Sequence, residues 1–252
     1  MTLRDALPPA LLLDLDDTIL DDSGGIPDCW KKACAAHASE LDGTDPERLR
    51  TAISRFSRWY WADPERHRRG RLALNAARRE VVRMAFQELG LRTISPDLAD
   101  RVADHYAACR DAGVAPLEEA IDTVQWLRER DCRLALLTNG AAAAQRSKIV
   151  RFGLERFFEV ILIEGELGFG KPDPRVYELA LARLAVGPGD AWMVGDNLEW
   201  DVAAPQRLGV AGVWVDVRGA GVPDGHAVKP ARIIRRLADL REAAATPARR
   251  PR

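Results

Sequence analysis

Residues 11–20 read LLLDLDDTIL. The leucines at 11, 12, 13 and 15 form a short apolar segment of the kind that makes a strand buried in a parallel sheet. A period of two places Leu12, Asp14 and Asp16 on one face and Leu11, Leu13 and Leu15 on the other. At its end the segment turns acidic, with Asp14, Asp16 and Asp17 followed by Thr18. Carboxylates crowded at the end of a buried strand cost free energy unless they are paired or bound to a metal. The stretch is therefore a candidate catalytic centre, with the rest of the chain as its support.

Downstream of Pro116 strands and helices alternate. Strands are expected at Cys132–Thr138, Val160–Ile163, Ala191–Asp196 and Gly212–Val217. Helices are expected at Leu117–Arg130, from Gly140 to about Phe152, and at Pro174–Leu184, Val202–Leu208 and Ile233–Ala243. This rhythm predicts an α/β fold, a parallel sheet of about five strands with helices on both faces. Between the first strand and this series the chain is rich in Ala, Arg, Glu and Leu. Four helices are expected there: Pro27–Leu41, Asp45 to about Trp61 with Asp45 as N-cap, Leu72–Leu89 closed by Gly90, and one from Ser95-Pro96 to Gly113. The expected organisation is a core of 1–20 and 113–245, an inserted all-helical module at 21–112, and a disordered tail at 246–252.

The composition is that of a globular protein: 252 residues, 47% hydrophobic, 30% charged, formal net charge −1. That balance argues against nucleic acid as a partner bound through overall positive charge. No apolar run approaches the roughly 20 residues of a membrane span, and the N-terminus makes a poor signal peptide, so no membrane association and a cytoplasmic location are expected. Cys29, Cys34, Cys109 and Cys132 show no CxxC spacing and read as reduced thiols. The histidines are scattered, and no HExxH or zinc spacing occurs.

Ligands of open α/β sheets sit beyond the carboxyl ends of the strands. Here the first strand ends in Asp14-Leu15-Asp16, the second in Thr138-Asn139-Gly140 and the fourth in Gly195-Asp196, while Gly170-Lys171-Pro172 follows the third. Three acidic side chains, a hydroxyl and a lysine would converge at one sheet edge. Residues 165–172, GELGFGKP, also have the GxxxxGK spacing of a P-loop, but Pro172 stands where a metal-ligating Ser or Thr is needed, which argues against nucleotide binding.

DLDDT, TNG, GKPD and GDNLEWD, in this order and at these strand ends, resemble the four motifs of the haloacid dehalogenase superfamily across about residues 10–240. The resemblance implies a Rossmann-like core with a helical cap inserted after the first motif. It implies Asp14 as nucleophile forming an aspartyl-phosphate, and Asp16 as general acid and base. Lys171 would span nucleophile and phosphate, while Thr138 and the N–H groups around Asn139 would hold phosphate oxygens. Mg²⁺ would be held by the Asp14 and Asp196 side chains and the Asp16 backbone carbonyl, with Asp201 orienting Lys171 or a metal-bound water. Dehalogenating relatives carry an aromatic residue two positions after the nucleophile and phosphonate-cleaving ones a small residue. Asp16 in that place points to hydrolysis of a small phosphorylated metabolite. A phosphotransferase of the mutase kind and a non-catalytic binding module are the alternatives, the latter opposed by the full set of acidic and lysine residues. Asp17 stands where many relatives have glycine. Trp59-Tyr60-Trp61 and Arg66, Arg68, Arg69 and Arg71 read as helix core and solvated face, with an arginine reaching a substrate carboxylate as the second reading.

Overall fold

The computed structural model describes residues 7–91, 97–223, 225 and 227–241. The tail expected to be disordered, and Ser95-Pro96, lie outside the described residues. The chain divides into two compact units, one holding residues up to Asp21 and from Ala115 onward, the other Asp22–Val114. Among the described residues no helix is long and apolar enough to cross a membrane.

In the first unit β1 (Ala10–Leu13) is fully buried. Its Ala10 and Leu12 pack in a cluster with Val176, Tyr177 and Ala180, while Leu11 and Leu13 are equally inaccessible on the opposite face. After β2 (Leu20–Asp21) the chain enters the helical unit, and it returns through β3 (Ala115–Pro116), which pairs antiparallel with β2. This two-stranded ribbon has no sequence signature, because each strand is two residues long.

The helical unit contains α1 (Ile26–Ala36), α2 (Pro46–Ala62), α3 (Pro64–Leu72), α4 (Leu74–Glu88) and α5 (Leu98–Gly113). Among the described residues five α-helices stand where four helices were expected. The addition is α3, whose arginine-rich sequence PERHRRGRL lacks an apolar period but starts on the same signal as α2: an aspartate N-cap followed by proline. Asp45 accepts from the Glu47 N–H at 2.9 Å and Asp63 from the Arg66 N–H at 2.8 Å. At Gly70 a Cβ would stand 2.7 Å from the Tyr60 ring, so only glycine lets α3 fold back on the end of α2. Arg66, Arg68 and Arg71 are engaged within the unit. Arg66 donates to the Trp59 carbonyl at 2.9 Å and lies 3.8 Å over the Trp59 ring, Arg68 pairs with Glu65, and Arg71 meets His67. Tyr60 is buried and Trp61 packs partly buried against the helical core, whereas Trp59 is exposed, so the core reading of the three aromatics is corrected at Trp59.

Cys29 of α1 and Cys109 of α5 form a disulfide, with Cα atoms 5.5 Å apart. The expectation of four reduced thiols is corrected to two, the buried Cys34 and Cys132. The packing of α1 on α5 brings together cysteines 80 residues apart, which spacing alone does not reveal.

The returning chain forms α6 (Ala120–Arg128), β4 (Arg133–Thr138), α7 (Ala142–Arg151), β5 (Val160–Ile163), α8 (Glu164–Leu167), α9 (Pro174–Arg183) and β6 (Ala191–Gly195). A π-helical segment, Leu198–Ala203, runs into α10 (Ala204–Gln206), and β7 (Ala211–Val215) and β8 (Arg232–Ile234) follow. The sheet has six strands in the order β5-β4-β1-β6-β7-β8, all parallel. The sixth strand corrects the start of the helix expected over Ile233–Ala243: residues 232–234 are strand and 239–241 are helical, while 242–243 lie outside the described residues. Ile233 and Ile234 pair with Trp214 and Val215, and the open edge of β7 overrides the helical period of the segment. The expected helix Val202–Leu208 likewise begins earlier, as the π turn capped by Asn197.

Candidate active site

Strand order reverses around β1: the chain builds β4 and β5 on one side, then crosses to β6, β7 and β8 on the other. The crevice beyond the carboxyl ends of β1, β4 and β6 is where such a sheet gathers functional side chains. Residues Leu15–Leu20 turn tightly there, with the N–H groups of Ile19 and Leu20 both donating to the Leu15 carbonyl at 2.9 Å. Asp17 has φ 57°, in the left-handed region that glycine favours and aspartate tolerates.

Lys171 is buried and its Nζ lies 2.7 Å from Asp14 Oδ1 and 2.6 Å from Asp201 Oδ1. The lysine is aimed by its backbone. Asn139 Nδ2 donates to the Lys171 carbonyl at 2.6 Å, and the Lys171 N–H donates to Asn139 Oδ1 at 2.8 Å. A Cβ on Gly170 would fall 2.5 Å from Asn139 Oδ1, so this clasp requires glycine before the lysine. The side chain of Asn139 is thus committed to Lys171, and what residue 139 can offer a phosphate is its N–H. The stretch holding Lys171 is not a P-loop: a four-residue helix, α8, precedes it, and α9 begins on Asp173-Pro174.

Asp201 arrives from the π-helical segment, a deviation often found at functional sites. Asn197 caps that segment by accepting from the N–H groups of Glu199 and Trp200, and its own N–H donates to Asp201 Oδ2 at 3.0 Å. Gly195 has no room for a side chain, since a Cβ would lie 2.3 Å from Asp201 Cγ. Asp196 is held from behind by Trp214, whose Nε1–H donates to its carbonyl at 2.7 Å.

Carboxylate oxygens of Asp14, Asp196 and Asp201 all lie within 4.8 Å of one another. Three carboxylates face one ammonium group, an excess of buried negative charge made of hard oxygen donors, and this set fits a divalent cation of the magnesium or calcium type. Burial raises the Asp14 carboxyl well above the usual range. Lys171 opposes the rise, and Asp201 and Asp196 add to it. Burial, Asp201 and Asp17 push Asp196 up to about 7. Burial works against the charge on Lys171, but Asp14 and Asp201 together raise its pKa above the ordinary lysine range.

The Asp196 shift has a consequence for the metal-free protein. Between the ordinary carboxylate pKa and about 7 the folded chain holds a proton that the unfolded chain has released. This contribution to stability is complete below about pH 4 and is lost as pH rises through 7. Denaturant unfolding in chelator should lose about 2–4 kcal/mol from pH 5 to pH 7.5. Asp196→Asn should reduce the slope, leaving the part that Asp14 carries, and a wild-type profile that is flat or rises over this window contradicts the assignment.

Asp16 does not join the three-carboxylate cluster. Its Oδ1 accepts from Lys148 Nζ and its Oδ2 from Gln145 Nε2, both at 2.8 Å and both from α7. Gln145 Nε2 also donates to Thr138 Oγ1 at 2.5 Å. Gln145, Lys148, Thr18 (3.4 Å from Asp14 Oδ2) and Glu164 (accepting from the Gly140 N–H at 3.0 Å) escape a reading based on strand ends. The i, i+3 spacing of Gln145 and Lys148 on the helix after TNG is the signal that could have found two of them.

Residues 8–209 match the family model of haloacid dehalogenase-like hydrolases. The chain is 37% identical over 261 residues to a phosphoserine phosphatase of Thermus thermophilus, covering 92% of this chain and 96% of the relative. It is 29% identical over 210 residues to a glyceraldehyde 3-phosphate phosphatase of Methanopyrus kandleri, covering 81% and 82%. The Bacillus subtilis HAD-hydrolase YfnB, solved bound to magnesium, has the same fold at a TM-score of 0.70 and 20% identity, over 96% of this chain and all of that one. A 2-haloacid dehalogenase of Pseudomonas syringae is similar at a TM-score of 0.61 and 28% identity, over 94% of this chain and 97% of that one. With the family model spanning most of the chain and a phosphatase matched along nearly its whole length, the chain belongs to the haloacid dehalogenase-like hydrolases, in their phosphatase branch.

Proposed function

We propose that this enzyme hydrolyses small phosphate monoesters with Mg²⁺, through an aspartyl-phosphate on Asp14. The observation that carries the reading is Lys171 held between Asp14 and Asp201, with the Asp16 carboxylate two residues from Asp14 and aligned by α7. An Asp14 carboxylate oxygen attacks phosphorus, and the ester P–O bond breaks as Asp16 gives its proton to the leaving oxygen. Water then attacks the phosphorus of the aspartyl-phosphate, Asp16 takes the water proton, and Asp14 leaves as carboxylate. Lys171 balances charge on Asp14 and the transferring group, while Thr138 and the N–H groups after β4 receive phosphate oxygens. Asp14 and Asp196 would hold the cation, with the Asp16 backbone carbonyl as third ligand by family resemblance. Both Asp201 oxygens are already bonded, to Lys171 and to the Asn197 N–H. Bound there, Mg²⁺ supplies positive charge that lets a carboxylate approach a phosphate dianion.

The two phosphatases named above act on phosphoserine and glyceraldehyde 3-phosphate, both three-carbon monoesters, and substrates of this class head the panel. A cytoplasmic site of action and a phosphorylated metabolite as partner, without nucleic acid or membrane, belong to the same reading. The test is release of inorganic phosphate from a panel of phosphorylated metabolites. Turnover should stop on chelation and return with added Mg²⁺. A chelator-insensitive rate removes the metal from the proposal. Isomerised sugar phosphate in place of free phosphate replaces the hydrolase with a phosphotransferase.

A further inference from the structure

Helix α7 turns two different faces to two different environments. Arg146 pairs with Glu166 at 2.6 Å, each about a third exposed, an ordinary surface ion pair. Gln145 and Lys148, three residues apart and so on one face, point the other way, to the end of β1. Gln145 is buried, and its amide nitrogen donates to Asp16 Oδ2 and Thr138 Oγ1. A carboxylate can only accept, so the amide orientation follows from chemistry. Lys148, its side chain 17% exposed, holds the other oxygen of Asp16.

We infer that Gln145 and Lys148 are positioning residues for the proton-transfer step, a two-point clamp from α7 that fixes the Asp16 carboxyl group against the phosphate seat. Asp16 stands on a short turn, and a carboxyl group there rotates about two side-chain bonds unless both oxygens are held. One rigid helix holds them with two separate donors. The donor shared with Thr138 ties the acid/base to the hydroxyl that receives phosphate, so leaving oxygen and proton donor are set in one frame. Proton transfer depends on such alignment within hydrogen-bond reach.

The inference rests on the proposed phosphatase chemistry, and a leaving-group comparison separates the two. In p-nitrophenyl phosphate the phenolate departs without a proton, whereas an alkyl ester needs one from Asp16. Lys148→Met should lower kcat/KM for the best alkyl monoester of the panel by about 10- to 100-fold. For p-nitrophenyl phosphate the fall should be at most about threefold, because kcat/KM reports only the steps up to aspartyl-phosphate formation. Lys148→Arg should recover most of the alkyl-ester rate, and Asp16→Asn should show the same selectivity with a larger loss. Unfolding midpoints accompany each variant, and Lys148→Gln repeats the comparison if the methionine variant does not unfold cooperatively. Equal losses on both esters, or no loss on either, overturn the clamp. Wild-type enzyme without alkyl-ester turnover, or Asp16→Asn without a loss, overturns the phosphatase chemistry and the clamp with it.

Discussion

Asp14→Asn is expected to abolish turnover, by four orders of magnitude or more, on the scale that loss of a covalent nucleophile has in other enzymes. The amide has the shape of the carboxylate but no charge with which to form a bond to phosphorus. Folding should survive. The native carboxylate is buried, and burial, with Asp201 and Asp196 adding to it, raises its pKa, so a neutral isostere removes a desolvation cost while weakening the bond from Lys171. Lys171 keeps its second partner, Asp201. The measured unfolding free energy should therefore stay within about 2 kcal/mol of wild type. Phosphate release and denaturant unfolding on the same preparation decide the matter: robust turnover by the folded variant removes Asp14 from the nucleophile role.

Lys171→Met should damage stability as well as chemistry. Removing the ammonium group leaves Asp14 and Asp201 buried together without their shared partner. Breaking a buried ion pair from one side costs about 3–5 kcal/mol, because the remaining charge is left without compensation. Asp14 already sits in a field that favours its proton, so part of the loss is recovered by protonation, and the variant should be relatively more stable in acid than at neutral pH. A divalent cation should raise its unfolding midpoint more than it raises that of wild type, since the added charge then stands alone against the carboxylates. Turnover should fall by at least about a thousandfold and not return with the metal, because Lys171 acts at the nucleophile itself. A variant with wild-type stability and measurable turnover contradicts the central place given to this lysine.

The strand ends are legible in the sequence because their signals are local. Val160–Ile163 forms a strand with the expected bounds, and the expected ends of β4, α9 and β6 lie within a residue of those observed. Local signals failed where the deciding contact was remote. Ile233 and Ile234, the first residues of an expected helix, pair with β7 instead, because an open sheet edge offers backbone hydrogen bonds that a period does not record. The segment at α3 has no apolar period, and its Asp63-Pro64 start, equivalent to Asp45-Pro46, is the one signal its sequence carries. The disulfide between Cys29 and Cys109 depends on how two helices pack, and no spacing rule encodes that.

By itself the sequence determined which residues stand at the ends of the strands, since apolar runs, glycines and prolines place those ends within a few residues. The acidic cluster after β1, the lysine in GKPD and the aspartates of GDNLEWD were legible for that reason. Tertiary structure alone decided how they meet. Lys171 reaches Asp14 across 157 residues of chain, and Asp201 reaches the same ammonium from a π turn that Gly195 alone has room to admit. It also decided that Asp16, adjacent in sequence to the metal-type cluster, belongs instead to Gln145 and Lys148. Periodicity fixes the face on which a side chain starts, whereas its partner depends on which helix the closed sheet brings within hydrogen-bond distance.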